Sequence, residues 1–417
     1  MPLSVVVLAV ALPTPFAHGL EVVMSAEAGT EYTSNTLLTE TDEIGEWIFT
    51  PGVSLQATEN TATLEMDVGY DYLRRMYTKD YWEDDNRLVG RGTITWYALA
   101  DRLDFFASNV RTESTERARQ AETQDNRQIV TTTEAGSRLR FQPRPADELQ
   151  LEYVFRDVRT TRTKTDSQRN NVTARYITGL SENRSFTVLG TYSDIEYEGF
   201  FPDAEYTIAT AGYNQTAGPI ELELTFGWNW YERTDRGKTD NPTYSGSLVW
   251  QATPTVSFSL EGTQLITDQG SGLSSGNDAV ENTDVNAAFE ETRAAVGYYH
   301  LLGANTLSLT GYWTEQQYAD DVPLTNEVVG GRLTFSRSLR RNVSFEAFAD
   351  FSNRTYEEER DDQDELRAGF RVDHTLGRAL SFNWGISYEK RDATTSRSYE
   401  EWVGTLQLYW TFLGAAR

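Results

Sequence analysis

From Trp402 onward, every second residue is apolar, aromatic or glycine: Trp402, Gly404, Leu406, Leu408, Trp410 and Phe412. Between them stand Val403, Thr405, Gln407, Tyr409 and Thr411. Successive side chains of a strand point to opposite faces, so this spacing predicts a strand with one apolar and one mostly polar face. The same period recurs along the chain. Ile220, Leu222, Leu224, Phe226, Trp228 and Trp230 alternate with Glu221, Glu223, Thr225, Gly227, Asn229 and Tyr231. Ala62 to Tyr72, Leu149 to Phe155, Val343 to Phe351 and Leu380 to Tyr388 repeat it.

The connections alternate as well. Short ones fall near Glu59-Asn60, Ala100-Asp101, Arg144-Pro145, Glu182-Asn183, Gly218, Pro254, Gly303-Ala304, Arg340-Arg341 and Gly377-Arg378. Longer polar ones fall between them: Ser34 to Gly45, Met76 to Asp85, Glu116 to Asp125, Thr234 to Asp240, Thr267 to Asp284 and Glu357 to Asp364. Tight turns at one end and long loops at the other are the layout of an outer-membrane barrel. The expected fold is all-β: a transmembrane antiparallel up-and-down barrel of about twenty strands, 18 or 16 being the alternatives, each strand roughly 9–14 residues long. An even count puts both chain ends on the periplasmic side.

A soluble antiparallel sheet also alternates. What favours a barrel is the clustering of aromatics at strand ends: Trp47 and Phe49, Tyr70 and Tyr72, Trp228 and Trp230, Trp410 and Phe412. Two interfacial girdles require such placement. The mean hydropathy of -0.54 fits, because lipid covers one face and water the other, leaving little need for an interior core. No fixed short-period motif supports the alternative, a secreted β-solenoid.

Composition narrows the function. Aromatics make up 12% of 417 residues, which excludes a disordered chain. The absence of Cys excludes disulfide scaffolds, thiolate metal sites and Cys nucleophiles. A net charge of -26 argues against nucleic acid as a partner. The run from Pro2 to Pro13 has the length of a signal-peptide h-region, and Ala17-His18-Gly19 supplies small residues at the cleavage positions. The expected division is signal peptide 1–19, barrel 20–412 and a short periplasmic tail 413–417; a buried N-terminal strand is the alternative for the first segment. The aromatic-ended last strand, with Phe412 as its terminal aromatic, is similar to the signal read by the barrel-assembly machinery, although Leu413 to Arg417 follow it.

The opening segment resembles one family of bacterial outer-membrane barrels. Glu31-Tyr32-Thr33-Ser34-Asn35 is followed by Thr50-Pro51-Gly52-Val53-Ser54-Leu55 and then by a stretch rich in Asp and Tyr. This pattern, over Glu27 to Tyr77, is similar to EpsL-like, PEP-CTERM-system-associated porins, a family associated with exopolysaccharide operons. The resemblance implies an outer-membrane location, a link to polysaccharide secretion and no catalytic residues.

In a barrel the polar face lines the lumen, and function is expected there. Its acids are Glu65, Asp67, Asp71, Glu134, Glu152, Glu221, Glu223, Glu346, Asp350 and Asp373. Its bases are Arg91, Arg138, Arg140, Arg156, Arg175, Arg332, Arg367 and Arg371. They read either as charged ladders in a wet channel that orient polar solutes or a sugar chain, or as cross-strand ion pairs that stiffen a wall. Tyr97, Tyr213, Tyr231, Tyr312 and Tyr409 are expected on the same face, able to stack on sugar rings or simply to pack. The acidic run around Asp361, Asp362 and Asp364 lacks EF-hand spacing, so Ca²⁺ binding is weighed there against a solvated outer loop. Gly272-Leu273-Ser274-Ser275-Gly276 matches a serine-hydrolase elbow but lies in a Gly/Ser-rich loop without the required strand–turn–helix context. No cofactor and no enzymatic activity are implied. The expected function is a passive conduit linked to exopolysaccharide export, with a diffusion porin for small polar solutes and an adhesive barrel as alternatives. Expected partners are outer-membrane lipid and lipopolysaccharide, polysaccharide or small solutes, and a periplasmic polysaccharide-export protein.

Overall fold

The computed structural model describes residues 19–116, 120–162, 166–199, 202–235, 237–268, 288–318, 325–357 and 362–413. Twenty antiparallel strands form one sheet: β1 Glu21–Thr33, β2 Glu46–Asn60, β3 Leu64–Tyr77, β4 Asp85–Leu99, β5 Leu103–Thr115, β6 Arg127–Arg144 and β7 Asp147–Thr160. They continue with β8 Ser167–Ser181, β9 Arg184–Tyr197, β10 Ala204–Ala217, β11 Ile220–Arg233, β12 Gly237–Thr253 and β13 Val256–Asp268. The last seven are β14 Ala288–Leu302, β15 Asn305–Tyr318, β16 Asn326–Arg340, β17 Val343–Tyr356, β18 Gln363–Thr375, β19 Leu380–Ala393 and β20 Tyr399–Leu413. Each strand pairs with its neighbours in sequence, and β1 pairs with β20 from Met24↔Leu413 to Thr33↔Val403. That seam removes both free edges, the condition for a sheet to cross hydrocarbon. At the seam Ser25 Oγ and Thr411 Oγ1 lie 3.1 Å apart, and Thr33 Oγ1 donates to Glu401 at 2.7 Å.

The turns at one end are tight, with Gly218 and Gly303 at positive φ in two of them. Strands reach 13–18 residues, longer than expected, because most continue past the apolar belt at the long-loop end. Three expected loops are therefore shorter. β3 runs to Tyr77 before β4 starts at Asp85, β12 already begins at Gly237 and β18 starts at Gln363. Residues 1–18, 414–417 and most of the Gly/Ser-rich segment, including Gly272 to Gly276, lie outside the described residues.

The outward face is apolar. Phe226 is 64% exposed, Val296 57% and Leu260 52%, all in mid-barrel positions that only lipid would cover. At the turn end, Trp96 stacks on Phe105 (5.7 Å between centroids) and Trp250 on Phe258 (5.5 Å). At the loop end, Tyr32 lies against Trp47 (5.1 Å) and Tyr388 against Trp402 (4.9 Å). The outer aromatics also carry polar tips that find partners on the next strand. Trp228 Nε1 donates to Asp240 at 2.9 Å, Trp313 Nε1 to Glu327 at 2.6 Å and the Tyr72 hydroxyl to Asn86 at 3.0 Å. Amphipathic rings of this kind suit the two interfaces.

Two of the aromatic placements read from sequence differ. Tyr70 sits outward, but not as an interface anchor: its ring covers Gly92, and its hydroxyl donates to Asn109 Oδ1 at 2.7 Å. Tyr213 faces lipid and not the lumen, because its partners across the ladder are Phe186 and Leu224, both outward. On β10 the inward set is Ala204, Tyr206, Ile208 and Thr210, as apolar as the outward one, so polarity alone does not fix the facing of this strand.

Candidate functional site

The inward faces of the strands build a water-facing lumen, and the expected charged residues all stand on them. Ladder register then decides which of them meet. On β6 and β7, Glu134 lies opposite Arg156 and Arg138 opposite Glu152. Arg156 Nε donates to Glu134 and Arg138 Nε to Glu152, both at 2.6 Å. Arg140 pairs with Asp104 on β5 at 2.6 Å. A second set of rungs lies on β16 to β19. Arg332 faces Asp350, Arg371 meets Glu346 at 3.3 Å and Asp373 at 3.4 Å, and Arg367 lies 3.9 Å from Glu389. Most of these groups are partly hydrated, so each rung is worth roughly 0–1 kcal/mol and serves mainly to fix the side chains in place.

The other charges are not paired in this way. Glu65 accepts a hydrogen bond from the Tyr97 hydroxyl at 2.7 Å. Asp67, Asp71, Glu221, Glu223, Arg91 and Arg175 are exposed to the lumen and make no ion pair among the described residues. Tyr231, Tyr312 and Tyr409 point inward as expected. Between the charged sectors, β9, β10 and β12 turn an almost uncharged face inward, with Thr187, Thr191, Ser193, Thr210, Ser245 and Ser247. The sequence marks this arc only by the parity of its hydroxyl-bearing residues, without the charges that mark its neighbours. Missed from the expected lining were Asp104, Arg169 and Glu389, which follow from the parity of strands already recognised. Of the Ca²⁺ candidates, Asp364 stands on the outer face and accepts from Asn353 at 2.9 Å, and Asp361 lies outside the described residues. Among the described residues no group of three or more acids or histidines is placed to hold a metal ion.

Exposure differs sharply between the two ends of the lumen. Toward the tight turns most inward side chains are open, Arg332 at 69% and Arg371 at 53%, although Asp104, held by Arg140, is buried. Toward the long loops they are buried on almost every strand: Val130, Val158, Arg169, Ala204, Phe289 and Tyr356 are all at most 3% exposed. Two hairpins contribute to this constriction. The β4–β5 ladder stops at Gly90↔Arg111, whereas β3–β4 continues to Arg75↔Asp85 and β5–β6 to Thr115↔Arg127. Freed from β4, the outer end of the β5–β6 hairpin reaches across the mouth. Ala121 packs with Leu38 and Tyr399, and Gln120 O accepts from Arg391 at 3.3 Å. Likewise β12–β13 pairing ends at Tyr244↔Gln264, after which Ile266 packs on Ala204 and Tyr231 inside the barrel.

Below this second hairpin lies a cavity of about 510 Å³. Arg138, Glu152, Arg156, Glu134, Thr173 and Thr191 contribute its polar wall, and Tyr206, Tyr231, Leu265 and Ile266 its apolar one. A smaller recess of about 260 Å³, sharing Arg138 and Glu152 and adding Arg175, continues toward the turn end.

No protein-family model and no curated protein matches the sequence. Solved structures do. The FrpB iron transporter from Neisseria meningitidis aligns over 95% of this chain and 82% of its own, at 9% identity and a TM-score of 0.54. The siderophore receptor PirA from Pseudomonas aeruginosa aligns over 94% and 80%, at 12% identity and a TM-score of 0.51. At such identities the likeness speaks for the fold alone. Together with the closed seam and the apolar belt it decides the matter. This chain is an outer-membrane β-barrel. The barrel's lumen runs along the membrane normal and is lined by charged and hydroxyl-bearing side chains, with a constriction near the long loops.

Proposed function

We propose that the barrel is a passive conduit whose constriction is displaced during transport, and that its cargo is an exopolysaccharide leaving the cell. The observation that carries this reading is the asymmetry of the lumen. The tight-turn end, periplasmic in such barrels, keeps most of its inward side chains exposed, while the long-loop end is packed. A path loaded from the periplasm and opened outward is consistent with that shape. The hydroxyl-rich arc suits a polyhydroxylated chain, and the opening motif's resemblance to EpsL-like barrels supports the same cargo. A periplasmic polysaccharide-export protein would deliver the chain to the open end.

A diffusion porin for small polar solutes is the second reading, favoured by the unpaired lumen charges. The two separate in one pair of measurements. Deleting the gene should abolish polymer secretion while leaving uptake of small solutes unchanged, and the purified barrel should conduct weakly in planar bilayers. Steady, large conductance together with undiminished secretion in the deletion strain refutes export and favours the porin.

A further inference from the structure

The cavity beneath the β13 hairpin has the make-up of a ligand site and not of a packing defect. Its volume of about 510 Å³ lies in the range of small-molecule pockets. Its two kinds of lining come from different elements. Most polar groups stand on β6 to β9, where Val154 and Ile195 add apolar area, and most apolar and aromatic groups on β10, β11 and the inward end of β13. A pyranose ring has the same duality, with an apolar C–H face and a rim of hydroxyls that are each donor and acceptor.

The polar wall is held in position before any ligand arrives. Arg138 is fixed from two sides: its Nε bonds Glu152 at 2.6 Å and its Cζ lies 5.6 Å from the centre of the Phe106 ring. That leaves guanidinium N–H groups and one carboxylate oxygen for a partner in the cavity. The Thr173 and Thr191 hydroxyls lie 3.0 Å apart on neighbouring strands, a donor–acceptor pair of the spacing that vicinal sugar hydroxyls can bridge. Tyr206 and Tyr231 add ring faces for the apolar side. Arg138 and Arg156 are paired with Glu152 and Glu134, and the two hydroxyls with each other, while Arg169 adds a third, buried cation to the lining, so the site combines hydroxyl recognition with cationic character.

We propose that this cavity binds one or two pyranose units of a saccharide chain, holding it directly below the constriction. The inference rests on the export reading for its biological cargo and deepens it, but the site itself can be tested apart from secretion. The purified barrel in detergent is titrated calorimetrically with a neutral β-glucan hexasaccharide and, separately, with an oligogalacturonate of the same length. Saturable binding of either supports the site, and the comparison tells whether the bound sugar is neutral or carboxylate-bearing. The charge-neutral double variant Arg138→Gln/Glu152→Gln and the milder Thr173→Val should each weaken it, the double variant by about tenfold or more. Lipid-facing Tyr213→Phe should leave it unchanged. Heat-modifiable migration on gels confirms that each variant is folded. Absence of binding for both probes, or binding indifferent to both cavity variants, overturns the proposal. Secretion that depends on the gene despite such a result would leave the export reading standing without this site. Binding with undiminished secretion in the deletion strain would do the reverse.

Discussion

Leu260 and Ser259 are neighbours on β13, and arginine at the two positions should have opposite fates. Leu260 pairs with Leu248 and Val296 and is 52% exposed, on the lipid side. Ser259 faces the lumen between Val249 and Gly297, with Glu261 next along the same face. Leu260 stands four residues beyond Val256, where the strand begins. At about 3.3 Å per residue and a tilt of about 40°, that is roughly 10 Å along the membrane normal, close to the middle of an apolar band about 25 Å tall. A cation there costs about 2–4 kcal/mol. At Ser259 the guanidinium enters water beside carboxylates, so the change should stay within about 0.5 kcal/mol of neutral. The measurement is reversible urea unfolding of each variant from lipid vesicles, followed by tryptophan fluorescence. The expected gap between Leu260→Arg and Ser259→Arg is about 2–4 kcal/mol. A gap below about 0.5 kcal/mol, or a reversed order, would refute the assignment of faces and with it the membrane reading of the sheet.

Three further outcomes follow from particular contacts. Gly90 has φ +141°, and a Cβ there would come within 2.2 Å of Gly69 O, so Gly90→Ala should destabilise the barrel by about 1–3 kcal/mol in the same assay, whereas Gly404→Ala, with open space around it, should cost less. Replacing residues 265–291 with a tight turn should raise single-channel conductance in planar bilayers severalfold in a barrel that still shows heat-modifiable migration on gels; an unaltered conductance would show that this hairpin does not narrow the path. In that shortened barrel the unpaired Asp67, Asp71, Glu221 and Glu223 should make the pore cation-selective by reversal potential, and Asp67→Asn/Asp71→Asn should reduce the preference.

What the sequence revealed and what it hid have separate physical origins. Tight turns such as Glu182-Asn183 and Gly303-Ala304 are local chemistry, and the strands between them are set by a period of two, so the twenty-strand order was legible. The ion-pair rungs were only partly legible. The two-residue turn between β6 and β7 pairs Arg144 with Asp147, which alone would put Glu134 opposite Asp157; an irregularity between Phe141 and Arg144 shifts the register by one and brings Arg156 there instead. The constriction was not legible, because leaving the wall depends on where neighbouring ladders stop. Only faint signals mark it. Gly90 and Gly92 interrupt β4, and the adjacent apolar pair Leu265-Ile266 breaks the alternation of β13 where the strand becomes covered on both sides. Tyr213 was misplaced for a related reason: where both faces of a strand carry small or apolar residues, parity needs a neighbour's register to be settled.

The two partings of the wall also bear on how a conduit of this kind could open. A ladder strand held on both sides cannot move without breaking a row of backbone hydrogen bonds in a membrane, where no water replaces them. The outer ends of β5 and β13 have already given up one of their two neighbours, after Gly90↔Arg111 and Tyr244↔Gln264. They are held instead by side-chain contacts near the mouth, such as Ala121 with Tyr399 and Ile266 with Tyr231, and by single hydrogen bonds such as Arg391 to Gln120 O. Contacts of that kind are not rungs of the backbone ladder, and a single hydrogen bond among them contributes on the order of 1 kcal/mol. Moving these hairpins aside would leave the twenty-strand cylinder and its seam intact. The constriction is therefore separable from the wall, as the proposed export of a bulky chain requires.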